Sequence, residues 1–451
     1  MGDLHTAPYR AALRAIWERS DYDRGFVSNP FAGDESADLG LRRTAALLDR
    51  LGRPHERYGI VHVTGSKGKG STCAFITTIL SAAGYRAGLY VSPHLHTYRE
   101  RISVNGEPIS ETAFAALTER AFAAVAALER ERPDLGRLTA FEITTAMALD
   151  HFATAGCDLA VVEVGMGGLL DATNVVTPLV SVITALDLEH TRVLGATLPE
   201  IAWQKAGIIK PGRPAAISPQ TPEVLAVFQK VAEARGSRLL VGGRDWRWEG
   251  SWRSFTVAGP WGTLADLRSG LIGAHQVENA ATAIAAISLL PESGYPVPPA
   301  AIREGLATTR WPGRFEVLES APRIILDGAH TAGASTALAT ALRDEQIPSV
   351  ILVIAVMQDK NPAAVATPLL PYVTHIVATE TRSPRAMPAE HIAEALAPLG
   401  RPISIAPNVP TALTLATNTA GPSGTILIAG SLTTVAEARE SLSLATPDPS
   451  P

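Results

Sequence analysis

The feature that most constrains the fold is a short glycine-rich loop between an apolar run and a helical pattern. The apolar run covers residues 59–64, and the helical pattern covers residues 71–83. The loop consists of Gly65, Ser66, Lys67, Gly68, Lys69, Gly70 and Ser71. Strand, glycine loop and helix in this order are typical of a phosphate-binding loop, because glycines let backbone N–H groups turn toward phosphate oxygens and the helix N-terminus adds partial positive charge.

Two side chains of the loop suit a bound nucleotide. Lys69 is placed to reach the β- and γ-phosphates, and Ser71 supplies a hydroxyl near the phosphates or a metal ion. The loop is shorter than the common eight-residue form, so a glycine-rich turn without a ligand is the alternative interpretation. The chain has only six lysines against 33 arginines, which makes a lysine here harder to explain as general surface charge. We therefore predict an ATP-binding loop.

Composition excludes several classes of protein. At 451 residues the chain is too long for one compact core, and 46% apolar with 18% charged residues is typical of a globular protein. A net charge of -5 gives no global field that attracts nucleic acid, and no apolar run approaches the ~20 residues of a membrane span. Cys73 and Cys157 cannot build a disulfide framework. We expect a cytoplasmic monomer with neither nucleic-acid nor membrane partners.

Further apolar runs predict buried strands between helical patterns. They cover residues 159–164, 180–184, 324–326, 351–355 and 426–429. Such alternation indicates parallel sheets of the α/β class. The pattern also predicts helices within residues 1–58, a proline-rich linker at 291–312, domains at 1–309 and 310–451, and a frayed tail from residue 446.

Polar side chains stand at or near the ends of two predicted strands. Ser92 and His94 follow the strand at 87–91, and Glu163 lies in the apolar strand at 159–164. Ligands bind at the carboxyl ends of strands in open α/β sheets. An unpaired carboxylate inside an apolar strand is costly, so Glu163 requires a nearby cation. That cation is either Mg²⁺, which suits carboxylate and hydroxyl oxygens, or a structural arginine.

A histidine and a lysine extend this predicted site. His190 follows the strand at 180–184 and is expected beside Glu163 at the carboxyl edge of the sheet. Lys205 lies near the end of a predicted helix. It is either a helix-end cation or a side chain turned inward beside the metal site.

The second half of the chain carries another set of polar residues. Asn279 belongs to an alanine-rich helix, and Arg314 follows the proline-rich segment. Asp327 and His330 come directly after the strand at 324–326. We predict that Arg314, Asp327 and His330 close over a nucleotide from the second domain.

Together these segments resemble folylpolyglutamate synthase, including the bacterial form that is also dihydrofolate synthase, within the Mur ligase superfamily. The resemblance runs from about Leu39 to Arg439. It implies an α/β protein with an N-terminal P-loop ATPase-like domain and a C-terminal Rossmann-like domain. It also implies an ATP-dependent ligase that adds L-glutamate to tetrahydrofolate, and to dihydropteroate in the bifunctional form, through an acyl phosphate.

The resemblance assigns roles to individual residues. ATP would contact the loop together with Asn279, Arg314, Asp327 and His330. One Mg²⁺ would bind Ser92 and Glu163, and a second would bind Glu163 and His190, with K⁺ as a further cation. Lys69, His190 and Lys205 would be catalytic, Lys205 in a carbamylated form. The folate-side substrate would contact His94, Arg101, Phe141 and Asp171.

Some positions depart from the bacterial pattern. Lys67 follows Ser66 where many bacterial members have Thr-Asn after the first glycine, and Glu189 stands where an aspartate usually precedes the histidine. Leu169 replaces a common arginine, and Thr331 replaces an asparagine. These departures leave the choice between folate and dihydropteroate open.

Two rival functions stay open at this stage. A Mur-type ligase for a cell-wall precursor would share the loop, Glu163, His190 and Lys205, but the segment 92–102 matches the folate branch. A P-loop switch or motor ATPase would leave the polar set of the second domain unexplained.

Overall fold

The computed structural model describes residues 5–20 and 38–449. Its N-terminal half is built on an eight-stranded sheet of order β4-β3-β2-β5-β1-β6-β7-β8. The strands are β1 (Gly59–Thr64), β2 (Ala87–Tyr90), β3 (Ile102–Val104), β4 (Glu107–Pro108), β5 (Leu159–Glu163), β6 (Val180–Ile183), β7 (Ala215–Ile217) and β8 (Leu239–Val241). The six strands β2, β5, β1, β6, β7 and β8 pair in parallel with their neighbours in this order. Strands β3 and β4 add an antiparallel edge beside β2.

Helices cover both faces of this sheet. They are α1 (Ala7–Trp17), α2 (Leu39–Arg50), α3 (Lys69–Ala82), α4 (Glu111–Glu131), α5 (Ala140–Thr154), α6 (Thr191–Leu194), α7 (Leu198–Ala206), α8 (Pro222–Ala234), α9 (Ala274–Ile287) and α10 (Pro299–Thr308). Alternation along β1 decides which core each side chain joins. Val61 and Val63 pack with α3, α9 and α10, whereas Ile60 packs with α1, α2, α4 and α5.

The C-terminal half has its own six-stranded sheet of order β12-β13-β17-β14-β15-β16, parallel except for β12. Its strands are β12 (Glu316–Leu318), β13 (Arg323–Leu326), β14 (Val350–Ile354), β15 (Val373–Ala378), β16 (Ile403–Ile405) and β17 (Thr425–Ala429). Its helices are α11 (Ala332–Asp344), α12 (Pro362–Ala366), α13 (Ala389–Leu396), α14 (Val409–Ala420) and α15 (Leu432–Ser441). The predicted α/β class with two separate sheets is confirmed. The division at 309/310 stays a proposal, and residues 1–4, 21–37 and 450–451 lie outside the described chain.

A small antiparallel sheet was not predicted from the sequence. It consists of β9 (Arg247–Ser251), β10 (Ser254–Gly259) and β11 (Gly262–Leu267), between β8 and α9. Its β9–β10 turn reaches the C-terminal half, because Trp252 and Arg253 donate hydrogen bonds to the Glu345 carboxylate at distances of 2.7 to 2.8 Å. Within the described residues, no helix combines the length and hydropathy needed to cross a membrane.

The prediction that residues 291–312 form a linker was wrong for the part of that segment that forms a helix. Residues Pro299–Thr308 form α10, which packs along α3. A Cβ atom on Gly305 would lie 2.5 Å from the Cα atom of Ile79, so the close approach of the two helices requires glycine. The helix therefore belongs to the N-terminal core, with Leu306 fully buried.

The prediction of a frayed tail was wrong for the described part of it. The Asp448 carboxylate accepts hydrogen bonds from the Tyr9 hydroxyl at 2.8 Å and from the Tyr98 backbone N–H at 2.6 Å. The composition of the tail indicated disorder. The sequence could not reveal these contacts, because both partners of Asp448 lie hundreds of residues away along the chain.

A fully buried histidine in β1 makes stability depend on pH. Burial lowers the pKa of His62 to about 3, and its Nε2 lies 2.9 Å from the Thr173 hydroxyl. Between the two pKa values the unfolded chain binds a proton that the folded chain does not, so this residue lowers stability as pH falls from about 6.5. The expected cost between pH 7 and pH 5 is about 2 kcal/mol.

We predict that His62→Gln removes this part of the acid sensitivity. Urea unfolding at pH 7 and pH 5 should show a stability loss about 2 kcal/mol smaller than in the wild type. His375→Gln is the matched control, since His375 is half-buried and its Nε2 also lies 2.9 Å from a hydroxyl, that of Ser404. Equal pH dependence in the wild type and His62→Gln would contradict the assignment.

Candidate active site

The glycine loop connects β1 to α3. Its backbone has two positive φ angles, 148° at Gly65 and 84° at Gly68. A Cβ atom would lie 1.8 Å from the Thr184 hydroxyl at Gly65 and 2.2 Å from Asn279 Oδ1 at Gly68. Glycine is therefore required on steric as well as conformational grounds. The second contact brings Asn279 of α9 against the loop.

The loop divides into two parts with different backbone partners. The N–H groups of Ser66 and Lys67 both donate to the Ala185 carbonyl at 3.0 Å, which anchors the loop to the segment after β6. The first N–H groups of α3, beginning at Lys69, have no carbonyl partner within the helix. The N-terminus of α3 is thus the part of the loop that can bind phosphate.

Two lysines converge on one carbonyl oxygen of the loop. The ammonium groups of Lys69 and Lys205 lie 2.9 Å and 2.8 Å from the Gly65 oxygen. Lys205 is 1% exposed and also donates to Glu189 at 3.1 Å. Burial, followed by repulsion from Lys69, lowers the pKa of Lys205 to about 8. Lys205 therefore points inward, rather than serving as a surface cation at a helix end.

The carboxylate of Glu189 balances these two cations. Burial alone would raise the pKa of Glu189, but Lys69 and Lys205 bring it below its usual value. The Glu189 side chain places its carboxylate 3.1 Å from the Lys205 ammonium.

Glu163 ends β5 close to the loop and is 5% exposed. Its Oε2 accepts a hydrogen bond from the Ser92 backbone N–H at 3.2 Å. Burial raises the pKa of Glu163 to about 7, although Lys69 and Arg314 act against that rise. No salt bridge within the described chain joins Glu163 to an arginine, so the structural-arginine interpretation is not supported.

The donor set fits a hard cation only in part. Ser92 and Glu163 lie together and offer oxygen atoms, which suit Mg²⁺. No group of three or more His, Cys, Asp or Glu side chains forms a metal cluster within residues 5–20 and 38–449. His190 is exposed, and its electrostatic neighbours include Glu189, Lys69 and Lys205. The pair Ser92 and Glu163 fits Mg²⁺ completed by phosphate or water oxygens, and the role of His190 as a ligand stays a prediction.

An open cleft of about 640 Å³ lies beside this site. His94, Leu89 and Val91 line one side, and Arg314 and Trp311 line another. The Arg101 Nε donates to His94 Nδ1 at 2.9 Å. Burial and the Arg101 charge lower the pKa of His94 well below its usual value, so the imidazole is neutral with its proton on Nε2.

The other two predicted substrate residues lie near Tyr90, the last residue of β2, which also has Arg101 among its electrostatic neighbours. Phe141 packs near Tyr90, with ring centroids 6.2 Å apart, and fills the space where Gly165 would carry a Cβ atom. Asp171 accepts hydrogen bonds from the backbone N–H groups of Met166 at 2.9 Å and Thr173 at 3.0 Å. Arg101 and His94 both lie against Tyr98, an electrostatic neighbour of Tyr90, so the structure brings the four predicted substrate residues around these two tyrosines. Their roles in binding stay predictions.

The C-terminal residues form a rigid turn after β13. The Asp327 carboxylate accepts hydrogen bonds from the N–H groups of Phe315 and Ala329, both at 2.8 Å. His330 Nδ1 lies 2.9 Å from the Gly328 carbonyl. Asp327 thus holds the two segments that present Arg314 and His330. Their contacts with a nucleotide stay predictions.

Lys360, which follows β14, was not among the residues predicted from the sequence. It is an electrostatic neighbour of Lys67, His190 and His330, and its ammonium lies 3.0 Å from Asp359. Its position after a predicted strand and its membership of a set of only six lysines were signals that could have identified it.

Two protein families match most of this chain. Residues 63–287 match the Mur ligase middle domain, and residues 313–432 match the Mur ligase glutamate ligase domain. The fold and the site thus define a ligase of the Mur class.

Known proteins narrow the class. The dihydrofolate synthase/folylpolyglutamate synthase of Escherichia coli is 36% identical over 409 residues, which cover 90% of this chain and 92% of that protein. A folylpolyglutamate synthase of Mycobacterium tuberculosis complexed with ADP superimposes with a TM-score of 0.87 at 30% identity, covering 98% of this chain and 99% of the other. The chain belongs to the folylpolyglutamate synthase/dihydrofolate synthase family.

A longer relative contains an additional part. The probable bifunctional folylpolyglutamate synthase/dihydropteroate synthase of Halobacterium salinarum is 38% identical over 410 residues, which cover 89% of this chain. The matched region is 49% of that relative, so this chain spans about half its length.

We predict that Gly68→Ala weakens ADP binding at least about tenfold, because the new methyl group displaces Asn279 from the loop. Gly84→Ala is a matched control: Gly84 has a φ of 87°, against 84° for Gly68, and its added Cβ would meet nothing within 4 Å. Calorimetric titration with ADP should separate the two. Equal losses in both variants would show that backbone strain, not the contact with Asn279, is responsible.

Proposed function

We propose that this chain is an ATP-dependent ligase that joins L-glutamate to a folate, and that it also acts on dihydropteroate. The observation that carries the proposal is the convergence of Lys69 and Lys205 on the Gly65 carbonyl, with the buried carboxylate of Glu163 nearby. The names of the relatives supply the substrate class, and the ADP complex of the M. tuberculosis enzyme supports ATP as the phosphoryl donor.

A carboxylate is a poor acyl donor because its leaving group would be oxide. Transfer of the γ-phosphoryl group of ATP to that carboxylate gives an acyl phosphate, which the amine of glutamate attacks with release of phosphate. Lys69 and the N-terminus of α3 would stabilise the negative charge that spreads over the transferring phosphoryl group. Arg314 and His330 would approach the nucleotide from the C-terminal half.

Ser92 and Glu163 would hold Mg²⁺, which supplies charge neutralisation and orients phosphate oxygens when bound. The carboxylate of Glu163 must be ionised for this role, and a bound cation would favour the ionised form that burial disfavours. A second Mg²⁺ at Glu163 and His190, and a K⁺ ion, belong to the proposal only by family resemblance.

Lys205 is proposed to carry a carbamate in the active enzyme. A pKa of about 8 leaves part of this buried lysine as the neutral amine, which is the form that reacts with carbon dioxide. The carbamate would reverse the charge beside Gly65 and add an oxygen donor. Cys73 and Cys157 are both buried and unpaired, which supports the proposed cytoplasmic location.

We predict that Lys69→Ala and Glu163→Ala each lower glutamate-dependent ADP release by at least about 100-fold, because each loses a charge required at the transferring phosphoryl group. Lys230→Ala is the control, since it removes an exposed lysine from α8. Near-normal turnover in either of the first two variants would refute the assignment of the site.

Substrate choice is tested by ADP release with tetrahydrofolate plus glutamate, with dihydropteroate plus glutamate, and with neither. We expect stimulation by both pairs, since the E. coli relative is named for both activities. Stimulation by tetrahydrofolate alone would restrict the function to polyglutamate synthesis. High turnover without either acceptor would indicate a plain ATPase and overturn the proposal.

A further inference from the structure

The loop that joins β2 to β3 is held by the C-terminal end of the chain. We call residues 92–101 the substrate loop and residues 445–449 the C-terminal strap. Asp448 of the strap accepts from the Tyr98 backbone N–H at 2.6 Å and donates its own N–H to the His96 carbonyl at 3.1 Å. The other oxygen of its carboxylate accepts from the Tyr9 hydroxyl at 2.8 Å. One residue thus links the strap to the substrate loop and to α1.

Helix α15, which precedes the strap, holds the same loop by a side chain. The Arg439 Nε donates to His96 Nε2 at 3.0 Å, and His96 Nδ1 lies 3.5 Å from Glu440. Arg439 also pairs with Glu316 of β12. The substrate loop of the N-terminal half is therefore attached to both the helix and the strap of the C-terminal half.

The substrate loop keeps its own shape by separate contacts. The Glu100 carboxylate accepts hydrogen bonds from the N–H groups of Leu95, His96 and Thr97 at 2.8 to 3.3 Å. Loss of the strap would therefore change where the loop sits rather than unfold it.

The loop and the strap border the same cleft. His94, Leu95 and His96 line the cleft of about 640 Å³ on one side, and Arg439 and Ala445 line it on the other. The same loop begins at Ser92, whose N–H contacts Glu163. The contacts of the strap are at His96 and Tyr98 rather than at Ser92, so the position of this part of the loop sets the width of the cleft.

We propose that Asp448 is a positioning residue for the ligation reaction: through Tyr98, His96 and Tyr9 it fixes the substrate loop against the C-terminal half, so that the cleft accepts the folate-side substrate. This inference rests on the proposed function for the nature of the substrate. The attachment itself does not depend on it, and can be measured without any turnover.

The first test measures the attachment by hydrogen exchange. In Asp448→Ala, and in a chain ending at Ala445, the peptide containing Tyr98 should exchange its amides at least about tenfold faster, because the N–H of Tyr98 loses its acceptor. A chain ending at Pro449 retains Asp448 and should match the 451-residue chain. Unchanged exchange in Asp448→Ala would overturn the proposal, whether or not the protein ligates glutamate.

The second test separates positioning from a general loss of stability. Asp448→Ala should raise the KM for the folate substrate about tenfold, the factor expected for one hydrogen bond to a charged group, and leave the KM for ATP within about twofold. Asp448→Asn can keep both side-chain contacts and should restore the KM. Equal rises in both KM values, or no rescue by asparagine, would contradict positioning. A wild-type protein without ligase activity would refute the proposed function, while the exchange result would still decide the attachment.

Discussion

The arrangement of the site depends on two ammonium groups that share one carbonyl oxygen. Lys69 and Lys205 approach Gly65 from different helices, and their mutual repulsion is offset by Glu189 alone among their hydrogen-bonded partners in the described chain. Such a cluster stabilises any anion placed beside it, because the low local dielectric strengthens the attraction. The same repulsion contributes to the lowered pKa of Lys205. Before any carbamate forms, the proximity of the two ammonium groups thus contributes both to anion affinity and, after burial, to the lowered pKa of Lys205.

The sequence was most informative where chemistry and local pattern coincide. The glycines of the loop, the apolar strand before it and the carboxylate of Glu163 each stand out within a few neighbouring residues, so their placement could be predicted. The inward direction of Lys205 could not be decided, because both interpretations place it near the same helix end. Only the contact with Gly65, 140 positions away along the chain, distinguishes them.

The elements that escaped prediction depend on partners distant in sequence. Asp448 follows a proline in a tail whose composition indicates disorder. Its carboxylate nevertheless contacts Tyr9 and Tyr98, which lie 439 and 350 positions earlier along the chain. Phe141 and His94 were grouped by resemblance, and only the contacts of Phe141 with Tyr90 and of His94 with Tyr98 show where they lie. The sequence pattern shows which face of a sheet a strand residue occupies only when the register of the strand is known, and it does not show such contacts between loops and helices.

The small antiparallel sheet has a consequence for the turnover of such an enzyme. Arg253 is 58% exposed in its pair with Glu345, so water can replace that contact at a cost on the order of 1 kcal/mol or less. The Arg253 pair is therefore a contact that thermal motion can break and remake, beside the hydrogen bond that half-buried Trp252 donates to the same carboxylate at 2.7 Å. A cleft that must admit a bulky acceptor and then release a longer product benefits from such a weak contact, because this contact can open without disruption of either core.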